Sequence, residues 1–524
     1  MSASGADILI GIDAGTSVIK SVAFSLGGQQ LAMASVPNVY HSDASGAASQ
    51  SLADTWAGCA QTLRDLGEKI ENLGARVAAI AVTGQGDGTW LVGAGDKPVT
   101  DAWLWLDARA AKTVDRLRAS AADISRFAKT GTGLNTCQMG TQMAHMDQHH
   151  PDWLDAAEVS LHCKDWLYLQ LTGIRASDPS ETSFTFGSYK SRGYEADVIA
   201  ALGLTHRAHL LPPVVDGVRQ THPLSADAAS QTGLRAGTPV SLGYVDVVCT
   251  ALGAGIYTPN APSGCTILGS TGMHMRATAE ADVVLNEGRT GYVMVLPVSG
   301  MVAQIQSNMA ATLNIDWALK LGAKLMAEFG HEVSHEEMVA RIDDWLSATR
   351  AGQILYHPYI SEAGERGPFV DARARAAFTG LASNHSFADL IRAVIEGLGY
   401  SARDCYSTMG AVPDEVRLTG GAARSGALRK IMAAAIGTNL RSSTREEAGA
   451  AGAAMMAACA IGVYPDMDAC LRDWVEPALG PIEAPDAALT ARYSALFPSY
   501  RALRETAPVA WAALSETQSQ QGEQ

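Results

Sequence analysis

The stretch Ile8-Leu9-Ile10-Gly11-Ile12-Asp13-Ala14-Gly15-Thr16-Ser17-Val18-Ile19-Lys20 decides how this chain folds. Ile8 to Ile12 is a short apolar run, read as a strand. It breaks at Asp13-Ala14-Gly15-Thr16. Val18 to Leu26 then reads as a second strand, with Gly27-Gly28 as a hairpin turn. The second half restarts the scheme. Gly264 to Leu268 is largely apolar and breaks at Gly269-Ser270-Thr271-Gly272, and strand-like character resumes at Met275 and from Tyr292 to Val298. This loose repeat predicts two similar α/β domains facing one another. Their boundary falls around residues 255 to 263, with Thr258-Pro259-Asn260-Ala261-Pro262 as linker.

Outward from these hairpins, Thr55 to Leu73 is helical in pattern. Val77 to Val82 is a strand that ends at Thr83-Gly84-Gln85-Gly86-Asp87-Gly88. Val240 to Tyr244 is another, ending at Asp246 before a helix of small residues. Glu415 to Leu418 runs into Gly420-Gly421 and a helix starting near Gly426. The tail after about Thr506 ends in Ser, Gln, Glu and Gly and is expected to fray.

Composition narrows the function. The 524 residues are 47% hydrophobic and 18% charged, as in a globular protein of roughly two to four domains. The net charge of −15 argues against nucleic acid as a partner, because that affinity rests on cationic contacts to phosphate. It offers no general attraction for anions either, so a phosphorylated ligand needs a local pocket. The eight cysteines form no CxxC pair, which argues against structural zinc and fits buried thiols in a reducing cytoplasm. Met1 to Asp7 lacks the basic and apolar regions of a signal peptide. Val247 to Met275 and Thr290 to Ile315 lack Asp, Glu, Lys and Arg, but polar residues, Gly and Pro interrupt both. Ala448 to Tyr464 reads as a buried helix, short of the roughly 20 residues of a membrane span. No membrane partner is expected.

Four constellations could carry chemistry. In Asp13-Ala14-Gly15-Thr16-Ser17, glycine allows a tight turn whose N–H groups and hydroxyls could bond phosphate oxygens. Lys20 could balance phosphate charge, and Asp13 could hold magnesium through water. An ordinary β-turn with a surface lysine fits as well. Gly269-Ser270-Thr271-Gly272 could cradle phosphate from the other side, although alone it reads better as a polar turn. Gly420-Gly421-Ala422 leaves room for a flat ring or a ribose, or is a plain strand-to-helix turn. Asp246, at a strand end before a helix, is an N-cap or a general base, and on spacing alone the cap is the better reading.

The order of these segments changes their weight. With Trp105-Leu106-Asp107-Ala108-Arg109, Gly364-Glu365-Arg366-Gly367-Pro368, Ala376 to Glu396 and Glu446 to Gly462, the chain resembles the FGGY carbohydrate kinases of the actin-like ATPase superfamily over residues 8 to 464. The resemblance implies an α/β fold of two ribonuclease H-like domains with an interdomain active-site cleft. Residues 1–257 would bind substrate and carry the base. Residues 258–524 would bind nucleotide, with an extension after about 464. It implies that Asp246 is the catalytic base, and that Asp13, Gly15, Thr16, Ser17, Lys20, Gly269, Ser270, Thr271, Gly420, Gly421 and Ala422 bind ATP. Asp13 would hold Mg2+ through water. Gln85, Gly86, Asp87, Trp105 and Asp246 would contact the substrate. Xylulose kinases typically have Met-His where this chain has Gly86-Asp87. An ionised aspartate only accepts hydrogen bonds, which suits vicinal hydroxyls better than a ketone. That favours a polyol over a ketose, and the resemblance implies erythritol first, with a pentulose or another alditol as the alternative and a non-catalytic sugar sensor behind both. A homodimer is left open.

Overall fold

The computed structural model describes residues 5–259 and 261–521. Ile8–Ala14 (β1) and Val18–Ser25 (β2) form an antiparallel hairpin with Asp13 opposite Lys20. Gln30–Pro37 (β3) extends it. Val77–Gly84 (β4) runs parallel to β1, and Pro239–Leu242 (β5) runs parallel to β4. The spatial order is β5-β4-β1-β2-β3, with the two-residue strand His222–Pro223 outside β5. The second half builds its sheet by the same plan. Gly264–Leu268 (β6) and Gly272–Ala279 (β7) form the hairpin, and Tyr292–Val295 (β8) and Met301–Asn308 (β9) lie beyond β7. Glu415–Thr419 (β10) and Asn439–Ser442 (β11) continue in parallel from β6, giving the order β8-β9-β7-β6-β10-β11. The expected strand at 292–298 stops at Val295, before Pro297.

Alternation along β1 shows why its run is apolar throughout. Ile8, Ile10 and Ile12 pack with Trp56 and Leu63 of helix Leu52–Lys69 (α1). Leu9 faces the other way, toward Ala450 and Ala454 of helix Ala448–Ala460 (α2). A strand covered on both faces needs hydrophobic residues at every position. The α2 helix belongs to the second half in sequence yet covers the first sheet. A Cβ on Gly11 would collide with the Ala450 carbonyl, so only glycine admits the helix so close. Helix Asp246–Ala254 (α3) meets α2 in the same way, Gly452 lying against the Cys249 carbonyl and Gly253 against the Ala448 carbonyl. The two halves are therefore joined through a backbone-close crossing of α2 and α3.

At the expected linker a small hairpin pairs Tyr257–Thr258 with Ala261–Pro262, and its Asn260 lies outside the described residues. The frayed-tail expectation is overturned. Helix Ala487–Gln521 (α4) continues past Thr506, with Pro498 and Pro508 inside it. Tyr493, Phe497 and Tyr500 enter the core of the second domain, and Trp511 stacks on Phe369 at 5.7 Å. This aromatic face anchors a segment whose polar composition alone suggests disorder. The Ala448 to Tyr464 stretch is a buried helix through Ala460, as its composition indicates. Among the described residues no helix is long and apolar enough to cross a membrane. The eight cysteines are unpaired, and all but Cys459 are buried.

Candidate active site

Two strand ends and two hairpin turns converge between the domains. A cavity of about 210 Å³ is walled by Thr16, Gly86, Asp87, Trp105, Val245 and Asp246 from the first half, and by Thr271, Met273, Tyr292, Ser307 and Arg366 from the second. Five candidate residues of the first half thus face Thr271 of the second across one space. A larger cavity of about 720 Å³ lies behind Tyr244 and holds none of the expected site residues.

Asp246 is the first residue of α3, not its cap, which is Val245. Its Oδ1 accepts the Val247 N–H at 2.6 Å. The loop before it is fixed on both sides. Thr83 Oγ1 donates to the Tyr244 carbonyl at 2.6 Å, and the Val245 N–H donates to Ser180 Oγ at 3.0 Å. Withdrawal from water, with Asp13 and Asp87 adding negative charge nearby, pushes the Asp246 carboxyl up to about 8. A carboxyl tuned near neutrality suits a group that accepts a proton.

Asp13 closes β1. Its Oδ2 lies so close to Gly449 that a side chain there would collide, which sets the carboxylate against the first turn of α2. Desolvation raises it to about 6, against the pull of Lys20. Lys20 is held by Glu447 at 2.8 Å, so in this state its charge is already balanced. Thr16 is locked from three directions. Trp105 Nε1 donates to its Oγ1 at 2.8 Å, its hydroxyl donates to Gln85 Oε1 at 3.0 Å, and Gln50 Nε2 donates to its carbonyl at 3.2 Å. Gln85 donates in turn to Gln50 at 2.7 Å. Gln85 is therefore buried behind the cavity and positions Thr16, where the sequence reading expects it to face substrate. Asp107, of the quoted Trp105-to-Arg109 segment, is fully buried and spent on Arg109 and the Ala48 N–H.

Gly86 and Asp87 turn sharply, Asp87 at φ 55°. A Cβ on Gly86 would strike Val245 beside Asp246 and come within 3.1 Å of Glu181 Oε1. Asp87 Oδ2 accepts from the Cys137 thiol at 3.2 Å. Its Oδ1 is buried without a partner. Burial raises its pKa, while Cys137 and Arg366 oppose the rise. Tyr292 packs edge-on against Phe184, with ring centroids 5.8 Å apart, and completes this end.

On the far side, Ser270 is exposed, and the loop that holds it is pinned. The Ala311 N–H donates to the Ser270 carbonyl at 2.7 Å and the Thr312 hydroxyl to the Gly269 carbonyl at 2.9 Å. Gly420, at φ 99°, abuts the Leu268 carbonyl, so the Gly269 and Gly420 loops lie together at the ends of two adjacent parallel strands. Gly421 is exposed and opens a single 3-10 turn to Arg424, so a flat face remains beside backbone. Gly15 and Ser17 belong to the β1–β2 turn beside Thr16, and Ser17 is exposed.

Sequence reasoning passes over three groups here. Glu181 is fully buried with neither oxygen hydrogen-bonded, His162 Nε2 standing 3.4 Å from Oε2, and burial raises it well above the usual carboxylate range. Tyr292 and Arg366 reach the cavity from the second half. Arg366 lies in the quoted Gly364-to-Pro368 segment, but its reach depends on tertiary contact that no local pattern encodes.

The model of the N-terminal domain of the FGGY family of carbohydrate kinases matches residues 8–253, and that of the C-terminal domain matches residues 264–461. The chain is 60% identical over 505 residues to an erythritol kinase of Brucella abortus (strain 2308), covering 96% of this chain and 97% of the relative. It is 27% identical over 475 residues to an L-xylulose/3-keto-L-gulonate kinase of Escherichia coli (strain K12), covering 89% and 91%. Among solved structures, a xylulose kinase from Rhodospirillum rubrum superposes with a TM-score of 0.86 at 26% identity, over 96% of this chain and all of that one. With both domains matched and their turns meeting around one cavity, the chain belongs to the FGGY family of carbohydrate kinases.

Proposed function

We propose that the chain transfers the γ-phosphoryl group of ATP to a hydroxyl of erythritol, with residues 1–257 holding the polyol and 258–524 the nucleotide. The observation that carries this reading is the shared cavity in which Asp246 and Asp87 face Thr16 and Thr271. The 60% identity to an erythritol kinase supports the choice of polyol. Asp246 orients the reacting hydroxyl and accepts its proton. Phosphoryl transfer asks for positioning and charge stabilisation more than for covalent help. Thr16, Ser17 and Lys20 take the β- and γ-phosphates from one side, and Gly269, Ser270 and Thr271 from the other. Gly420, Gly421 and Ala422 lie under the adenosine. Asp87 accepts from substrate hydroxyls, Trp105 covers the carbon face, and Gln85 acts through Thr16.

The donor set fits magnesium carried in with the nucleotide. Among the described residues there is no cluster of three or more side chains able to cage a metal, while Asp13 offers one hard oxygen donor at a helix N-terminus. Mg2+ held there through water would supply charge neutralisation on the phosphates. A pentulose is the competing acceptor, favoured by the relative that acts on L-xylulose.

ADP release with ATP and magnesium, measured for erythritol, ribitol, glycerol, xylulose and ribulose, decides between them. Erythritol is expected to give a kcat/KM at least tenfold above either ketose. A ketose ahead of every polyol would overturn the assignment.

A further inference from the structure

Arg366 belongs to the second half of the chain, yet it helps wall the cavity that Asp87, Trp105 and Asp246 of the first half also wall. Its guanidinium is fastened at one corner only, with Nη2 donating to Ser307 Oγ at 2.9 Å. The carbon Cζ stands 5.9 Å from the Trp105 ring centroid, across the domain boundary. Its Nε is buried and has no hydrogen-bond partner. Asp87 Oδ1, in the wall of the same cavity, is likewise buried and unpartnered. One orphan donor and one orphan acceptor, from different domains, thus belong to residues that wall the same cavity. Leaving either unpaired costs stability, and a ligand that satisfies both recovers that cost on binding. The positive charge of Arg366 falls on Asp87, Cys137 and Tyr292.

We infer that Arg366 is a specificity-determining substrate contact. Its Nε–H donates to one hydroxyl of a vicinal diol whose neighbouring hydroxyl donates to Asp87 Oδ1, while Asp246 takes the reacting hydroxyl. The inference rests on the polyol-kinase reading and adds two features to it. The ligand class is a diol with one donating and one accepting hydroxyl, which an apolar or mono-hydroxylated chain does not match. The substrate also bridges the domains, because its two anchors lie on opposite halves. Occupancy of the cavity therefore favours the closed cleft before phosphoryl transfer.

The test pairs enzyme variants with deoxygenated substrates. In wild type, removing one hydroxyl at a time from erythritol should raise KM at least tenfold at the contacted position, the scale of one buried hydrogen bond. In Arg366→Met, KM for erythritol should rise at least tenfold while kcat falls less than threefold. The penalty for deoxygenation at that one position should vanish and the other penalties persist, the signature of a direct pair in a double-mutant cycle. Arg366→Lys should recover part of the loss. Should Arg366→Met fail to fold, Ser307→Ala, which frees the guanidinium, should raise the erythritol KM severalfold with the same selective loss. An Arg366→Met enzyme with an erythritol KM within twofold of wild type overturns the inference. So do deoxygenation penalties that all survive in whichever variant folds. Failure of wild type to release ADP with any polyol is a different outcome and removes the polyol-kinase reading itself.

Discussion

Asp246 carries a proton in the folded, ligand-free protein that it loses when the chain unfolds. Its folded value of about 8 stands above the 3.8 of an ordinary aspartate. The folded state therefore binds more protons across this interval, and stability falls as pH rises from about 4 through about 8. Asp13, raised to about 6, adds to the same trend over the lower part of the interval. Melting temperatures of the ligand-free protein should decline between pH 5 and pH 9, and the decline should be smaller in Asp246→Asn, which has no carboxyl to ionise. Differential scanning fluorimetry across that range checks both. In its proposed role as base Asp246 must be ionised to accept a proton, so activity should run the opposite way. The kcat/KM for the polyol should rise with pH through about 8 and level off above it. A flat profile between pH 6 and pH 9 would remove Asp246 from the rate-determining chemistry.

At the scale of elements, glycines set the distances on which the site depends. The crossing of Asp246–Ala254 and Ala448–Ala460 brings Gly452 against the Cys249 carbonyl. Gly452→Ala should cost about 1–3 kcal/mol of stability, the usual penalty of overpacking, and it should lower turnover as well, because Asp246 opens one of the two helices. Thermal melts and steady-state rates together test this. The turn at Gly86 has a narrower role. A methyl group there meets Val245 and Glu181, so Gly86→Ala should displace Asp87 and raise the polyol KM at least tenfold. Global stability should change by less than at Gly452, since the turn borders a cavity. The hairpins around Gly15 and Gly269 were legible because short apolar runs broken by a glycine turn mark a strand pair locally. The helical C-terminus was not. Its order comes from Tyr493, Tyr500 and Trp511 meeting residues far back in the chain, while its composition speaks only of solubility.

The whole molecule is two copies of one strand plan joined through the helices that begin at Asp246 and Ala448. The duplication could be read from the sequence, and so could the residues at the tip of each hairpin. What could not be read was their pairing. The ion pair of Lys20 with Glu447 spans 427 positions, and Arg366 enters a cavity built mostly by the first half. Gln85 fell one layer behind its expected place because motif order fixes a neighbourhood, not a side-chain direction. The two-domain arrangement also predicts closure. Small-angle scattering should show a smaller radius of gyration with erythritol and a non-hydrolysable ATP analogue together than with either alone, since in the proposed site both ligands draw contacts from both halves. The most direct test of the central claim is single-turnover phosphoryl transfer in Asp246→Asn, with erythritol binding followed in parallel by calorimetry. The variant should bind erythritol within a fewfold of wild type and transfer phosphate on the order of a hundredfold more slowly, or worse. Transfer at near the wild-type rate would contradict the account.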